Sequence, residues 1–165
     1  MIVRVTADGP AVSPEIAELL LKSHFDSGAD YTAPREFSVG TNPEIYNTEA
    51  LQLVIDLLGK ANHSEYMTWD MRNNPDVFKF NIVDLPNDLV CKYRLTLDHQ
   101  EDLEMFEYLY AELERLKLST NAENVFAILD EDNGIAAING HLTLKYQADS
   151  ELIEMLNKKT RIVAK

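Results

Sequence analysis

Two short stretches of this chain carry the residue types needed to bind a hard cation beside a phosphate. Arg4-Val5-Thr6-Ala7-Asp8 and Arg94-Leu95-Thr96-Leu97-Asp98 share the pattern Arg-x-Thr-x-Asp, ninety positions apart. Each ends a predicted strand. A carboxylate at the carboxyl end of a strand in an open α/β sheet sits where such sheets bind ligands. Two aspartates at neighbouring strand ends can hold one Mg²⁺, which takes oxygen ligands, keeps several waters and is commonly shared with a substrate's phosphates. Asp8 and Asp98 are therefore the candidate metal ligands. Arg4 and Arg94 fall on the same strand faces as the aspartates. They are the candidate catalytic cations, able to pair with the acids or to reach a phosphate bidentately. Each assignment has a structural competitor. Either arginine can be bound in an ion pair with a nearby acid. Asp98, with Glu101 three residues on, is also an aspartate variant of the capping box that starts helices.

Composition narrows the chemistry. The chain has 165 residues, 45 % of them apolar and 26 % charged, which suits one domain with a real core. Its 28 acidic residues outweigh 15 basic ones, for a net charge of -13. That balance speaks against nucleic acid or an anionic membrane surface as partner. It also obstructs a phosphorylated substrate unless a divalent cation supplies positive charge, which Mg²⁺ would do while stabilising charge on the phosphorus oxygens during nucleotidyl transfer. A single cysteine, Cys91, leaves no intrachain disulfide and fits a reducing compartment. No signal peptide opens the sequence, and no apolar run is long enough for a bilayer. A cytoplasmic location is expected.

The elements that position these residues are readable in order. Residues 2–7 predict a strand, of central character, with Ile2, Arg4, Thr6 and Asp8 on one face. Gly9-Pro10 breaks it. Ser13-Pro14-Glu15 marks a helix start, with Ile16, Leu19, Leu20 and Ser23 inward and Gly28 as the stop. Residues 29–47 are β-rich: Tyr31-Thr32 is extended, Phe37-Ser38-Val39 is expected to pair with it, and Glu44-Ile45-Tyr46 is a third candidate. Asn47 caps a helix ending at Gly59, with Ala50, Leu51, Val54, Ile55 and Leu58 inward. A third helix begins near His63-Ser64 and ends at Asn73-Asn74-Pro75. Residues 77–83 are β-like. Tyr93 to Leu97 alternates as a strand, and after Asp98 the period changes to helical, with Leu103, Phe106, Tyr110 and Leu113 as a stripe widened by Met105 and Leu109. A helix at 123–131 stops at Asn133-Gly134, and residues 135–139 form a short apolar turn beneath the sheet. From Ala148 one weak amphipathic helix carries Leu152, Ile153 and Leu156 and a basic tip at Lys158, Lys159, Arg161 and Lys165. The expected organisation is a domain over 1–147 and a helical tail over 148–165.

Other reactive residue types fit ordinary roles. The histidines His24, His63, His99 and His141 lack metal-ligand spacing, and only His99 adjoins a candidate ligand. Cys91 reads as a small buried side chain. Tyr66, Met67, Trp69 and Met71 read as packing. The acidic face of the helix after Asp98 reads as solvated surface. There is no Ser-His-Asp order, no P-loop and no G-x-G-x-x-G after a strand.

Four stretches, in order, carry a family likeness. Val3-Arg4-Val5-Thr6-Ala7-Asp8-Gly9-Pro10 resembles V-R-V-T-G-D-x-P. Gly40-Thr41-Asn42-Pro43-Glu44-Ile45-Tyr46 followed by Glu49-Ala50-Leu51 resembles G-L-D-V-E-V-F…E-A-L. Residues 94–103 resemble R-L-T-V-D-T-P-E-D-L, and Ala136-Ala137-Ile138-Asn139-Gly140-His141 resembles A-A-I-N-x-H. The chain thus resembles the later part of the spore-coat polysaccharide biosynthesis cytidylyltransferases, which are similar to the enzymes making CMP-Kdo and CMP-sialic acid. The resemblance implies a Rossmann-like α/β nucleotidyltransferase, a three-layer sandwich, here lacking its N-terminal nucleotide-binding part. It also implies that Asp8 and Asp98 are the two Mg²⁺-binding aspartates, that nucleotide and sugar acid are the substrates, and that pyrophosphate is released. The segment between the third helix and residue 97 resembles the part that forms a dimer contact.

The departures from the pattern cluster at ligand-side positions. Ala7 replaces a glycine, Asn42 an acid and Tyr66 a histidine, while the motif around Glu65 and Thr68 is otherwise changed. The family's opening loop of small and basic residues has no counterpart. These departures lead to two expectations: an enzyme part inactive alone, with a missing N-terminal half or a homo-oligomer as partner, or a non-catalytic dimerisation or scaffold subunit. In either, the edge of strand 2–7 is expected to be covered by self-association or a partner.

Overall fold

A short mixed sheet lies between two sets of helices, and the side-chain alternation of one strand shows why. In the computed structural model, which describes residues 1–59 and 66–162, the strands are β1 (Ile2–Arg4), β2 (Tyr31–Pro34), β3 (Glu44–Tyr46) and β4 (Phe80–Val83). Their order is β1-β3-β2-β4. β3 runs antiparallel to both β1 and β2, and β2 runs parallel to β4. Neighbouring residues of a strand point to opposite faces. Ile45 enters one apolar cluster, with Ile16, Leu20, Leu95, Leu109 and Leu129 among its members, and Tyr46 enters another with Tyr31, Val54, Met71 and Phe78. The sheet is therefore covered on both sides, a mixed α/β arrangement compatible with the expected class.

Several helix ends follow their sequence signals, although Asn47 makes no side-chain cap bond to α2 and Asn133-Gly134 opens a further short helix. α1 (Pro14–Ser27) begins at Ser13, whose hydroxyl accepts the Ile16 amide at 3.1 Å, and stops at Gly28 with φ 59°. Glycine takes that left-handed conformation without the Cβ penalty. α2 (Thr48–Leu58) stops at Gly59. α3 (Met67–Arg72), α4 (Gln100–Leu116), α5 (Ala122–Glu131), α6 (Asn133–Ala137), α7 (Lys145–Ala148) and α8 (Ser150–Thr160) complete the chain. The expected start of the third helix at His63-Ser64 lies outside the described residues. Among those described, no helix is long and apolar enough to cross a membrane.

Several expectations are corrected. β1 is an edge strand of three residues, not a central one. Phe37-Ser38-Val39 does not pair with β2; Val39 bridges Arg94 instead. Tyr93 to Leu97 is extended but joins no ladder beyond that bridge. The apolar stripes are also turned from those expected. α1 buries Ile16, Leu20 and His24 while Leu19 is exposed, and α2 buries Ala50 and Val54 while Ile55 is exposed. α4 buries Asp102, Met105, Phe106, Leu109 and Leu113 and exposes Leu103. Residues 133–137 form a helix packed on α4 and α5.

The C-terminal helix is fastened to α3 by polar groups. The Trp69 indole donates to Asn157 Oδ1 at 2.9 Å. Asn73 Nδ2 donates to the Asn157 carbonyl at 2.8 Å, and Asn74 Nδ2 to the Thr160 carbonyl at 2.7 Å. The Ile162 amide returns a bond to Asn74 Oδ1 at 2.8 Å.

Candidate functional site

The extended passage before α4 is held in place by three different neighbours in turn. Ser38 Oγ donates to the Cys91 carbonyl at 2.8 Å and accepts the Tyr93 amide at 3.2 Å. Val39 then takes over: its amide donates to the Tyr93 carbonyl at 3.1 Å and its carbonyl accepts the Leu95 amide at 2.7 Å. Finally the Leu97 amide donates to the Asp8 carbonyl at 2.8 Å. Gly40 permits this sequence of contacts. It sits at φ 91°, and a Cβ there would lie 1.9 Å from the Leu95 carbonyl oxygen. Only a residue with no side chain allows the two backbones to pass so closely.

This packing brings the two Arg-x-Thr-x-Asp segments to one rim. Beyond the Leu97–Asp8 bond, Thr96 Oγ1 reaches both the Asp8 carbonyl and Asp98 Oδ2, each at 3.4 Å. Asp8 lies in the turn that follows β1, where the Gly9 amide closes on the Thr6 carbonyl at 3.1 Å. Among the described residues, the Asp8 Oδ1 atom is buried and accepts no hydrogen bond. An unsatisfied buried carboxylate oxygen is costly, and a bound cation is one way to satisfy it.

Behind the rim stands a buried acid that the sequence reading passed over. Asp102 is fully enclosed, and its carboxylate accepts five hydrogen bonds. Arg94 Nε donates to Oδ1 at 2.8 Å and Arg94 Nη2 to Oδ2 at 2.9 Å. The amides of Asp98 and His99 donate to Oδ2 at 2.9 Å each. Asn139, just past α6, donates to Oδ1 at 2.9 Å and to the Arg94 carbonyl at 3.0 Å. Burial pushes the Asp102 carboxyl upward, but Arg94, the two amides and Asn139 outweigh it and bring the carboxyl down to about 2. The reciprocal acid of the helix start is thus Asp102, not Glu101, and the cap residue is His99, not Asp98. α4 begins one residue later than the capping-box reading placed it. A signal was available: Asp102 falls on the stripe of Met105, Phe106, Leu109 and Leu113, so a charge sits on the inward face of the helix.

Both candidate arginines are engaged by acids. Arg94, 8 % exposed, joins Asp102 and donates through Nη2 to Asp98 Oδ2 at 2.8 Å. Arg4 forms an ion pair with Glu44 across the β1–β3 register. Glu44 also accepts from Thr68 Oγ1, which lies 3.2 Å from the Tyr46 hydroxyl. Burial foremost, with the Glu44 charge behind it, raises the Tyr46 phenol far above its usual range. Arg4 is thereby directed along the sheet toward Glu44.

The residues present fit a magnesium-type ion. Among the described residues no three His, Cys, Asp or Glu side chains converge as a metal cluster. Mg²⁺ does not require one, since a carboxylate or two with waters and phosphate oxygens suffices. Asp8, with its unpartnered buried oxygen, and Asp98, with only part of its carboxylate engaged, are the groups that would hold it. The remaining candidates lie elsewhere. His24 is buried between Thr32 and Asn47, at 2.8 and 3.2 Å. His99 and His141 are exposed, and His63 lies outside the described residues. Cys91 is half-buried, and that burial raises its thiol, so it is not an activated nucleophile.

Comparison with known proteins adds ancestry. No protein-family model matches the chain, and no solved structure matches it. It is 32 % identical over 115 residues to the spore coat polysaccharide biosynthesis protein SpsF of Bacillus subtilis, covering 67 % of this chain and 47 % of SpsF. It is 27 % identical over 158 residues to the uncharacterized protein MJ1063 of Methanocaldococcus jannaschii, covering 92 % of this chain and 62 % of that protein. The chain therefore spans about half to three fifths of the length of these relatives. It is a homologue of the spore coat polysaccharide biosynthesis protein SpsF over two thirds of its own length, in keeping with the partial cytidylyltransferase-like resemblance of its motifs.

Proposed function

We propose that this chain is a partial cytidylyltransferase-like domain of surface polysaccharide biosynthesis, serving the Mg²⁺-dependent activation of a sugar acid as a nucleotide sugar in the cytoplasm. In this reading its four strands are a portion of a Rossmann-like nucleotidyltransferase sheet. The observation that carries it is the meeting of the two aspartate segments through the Leu97–Asp8 bond, with the Asp8 Oδ1 atom buried and unpartnered at their junction. Kinship with a polysaccharide biosynthesis protein supports the pathway class. A net charge of -13 supports a cation as the group that draws in a nucleotide triphosphate. The chain is inactive by itself, because the small-and-basic loop that the family uses for the triphosphate has no counterpart among these residues. An N-terminal half, from the rest of its gene product or from another chain, completes it.

A direct assay tests this. Incubated with Mg²⁺, CTP and a panel of sugar acids, residues 1–165 alone release no pyrophosphate; release would overturn their dependence on an N-terminal half. Magnesium titration of wild type against Asp98→Asn tests the metal reading, and equal affinity would remove Asp98 from it.

The second reading is a non-catalytic dimerisation or scaffold subunit. What favours it is that Arg4 and Arg94 are each already held by acids, at Glu44 and at Asp102 with Asp98. The exposed apolar residues of the β1 region, Met1, Ile2, Val3 and Val5, support an associating edge. A monodisperse monomer by analytical ultracentrifugation would end that reading.

A further inference from the structure

We infer that Asp102 is a positioning residue that keeps Asp98 available to a cation, an assignment that rests on the cation-binding reading of Asp8 and Asp98. Asp102 is fully buried and offers no surface to a ligand. Its first action is on the backbone. The amides of Asp98 and His99 both end on Oδ2 at 2.9 Å, which fixes the peptide plane from which the Asp98 side chain departs.

Its second action is electrostatic. Arg94 lies between two carboxylates and is shared unequally. Asp102 receives two parallel N–H bonds, from Nε and Nη2, whereas Asp98 receives one, at 2.8 Å. A paired fork on a carboxylate is the strong arrangement. Asp102 thus takes most of the guanidinium's charge, and Asp98 keeps negative charge for a cation. Asn139 closes the assembly by donating to both Asp102 and the Arg94 main-chain carbonyl, which ties the backbone at Arg94 to the acid that its side chain holds. Substituting Asp102→Asn keeps the shape and removes the charge. Arg94 is then left with Asp98 as its acid among the described residues, and the two positive charges, guanidinium and metal, compete for one carboxylate.

Isothermal titration of the full chain with Mg²⁺ alone tests this, with Asp8→Asn as the control. Asp102→Asn weakens Mg²⁺ binding by about ten- to a hundredfold, the range for groups that orient a metal ligand. The double variant Arg94→Gln with Asp102→Asn regains most of that affinity, because the competing cation is gone. A purely structural role for Asp102 gives no such rescue, and its absence overturns the inference. Equal Mg²⁺ affinity in wild type and folded Asp102→Asn overturns it as well, while leaving the cation site standing. If wild type and Asp8→Asn bind Mg²⁺ identically, the cation reading itself fails and this inference with it. If Asp102→Asn does not fold, Asn139→Ser serves instead. Weaker Mg²⁺ binding, with shifted Asp98 and His99 amide resonances in ¹⁵N–¹H spectra, supports the role; unchanged binding overturns it.

Discussion

The two Arg-x-Thr-x-Asp segments have the same letters and opposite physics. In the second, Arg94 has a side chain 7 % exposed and meets Asp102, which is fully enclosed. In the first, Arg4 is 30 % exposed and pairs with Glu44 at 23 %. The difference traces to one position. Four residues beyond Asp98 stands Asp102, and four beyond Asp8 stands Val12. Without an acid at that place Arg4 turns along the sheet to Glu44. Among the described residues nothing donates to Asp8 Oδ1, while Asp98 has an arginine and a threonine within reach. A repeated motif therefore does not mean a repeated site. One copy forms a rigid, fully paired frame and the other leaves a carboxylate oxygen open.

Four tests sharpen or break this contrast. The largest effect belongs to Asp102→Ala, which strands the Arg94 charge and two amides in the interior. It destabilises by about 3 to 5 kcal/mol in urea unfolding, as removal of one partner of a buried pair does. Gly40→Ala follows, at about 3 kcal/mol, since its methyl would meet the Leu95 carbonyl at a φ that L residues avoid. Gly28→Ala, with open space around it, costs about 1 kcal/mol. Comparable losses at Gly40 and Gly28 would show that the two backbones do not pass closely.

Acid comes third. The folded Asp102 carboxyl, at about 2, lies below its ordinary 3.8. Its contribution to stability is therefore complete above pH 4 and lost as pH falls toward 2, for about 2 kcal/mol. Asp102→Asn should abolish that component of the acid unfolding profile. Smallest is Glu44→Ala, at about 1 kcal/mol or less, because a part-exposed pair is screened by water and salt. If Glu44→Ala matched Asp102→Ala, the contrast between the two segments would collapse.

What the sequence made legible was local. Ser13-Pro14 and the glycines at 28 and 59 mark helix ends because capping and left-handed backbone are decided by the residue itself. The β2, β3 and β4 segments follow from short alternating runs between breakers. Partner choice was not legible. Phe37 to Val39 looks like a hairpin mate for β2, yet Val39 bonds Tyr93 and Leu95 because Gly40 lets Leu95 approach. The same blindness hid the frame of the site. Glu101 and Asp102 are adjacent acids at a helix start, and a capping-box pattern fits the first. Only the helical phase of Met105 and Leu109 shows that the second faces inward. Asn139 belongs to the A-A-I-N-x-H stretch, but nothing local shows what it holds, since its partners are 37 and 45 residues away.

The fastening of α8 to α3 has a consequence for how the end of the chain can change. Three of its bonds involve main-chain atoms at positions 157, 160 and 162 rather than side chains of the helix. The last carbonyls of a helix have no partner within it, and Asn73 and Asn74 act as their cap from a neighbouring element. Exposed positions such as Lys158 and Lys159 are free to drift in identity. A one-residue deletion within α8 is not tolerated in the same way, because it rotates the remaining carbonyls by about 100° and carries them off the asparagine amides. Evolution can respell this helix readily, but it cannot easily shorten it.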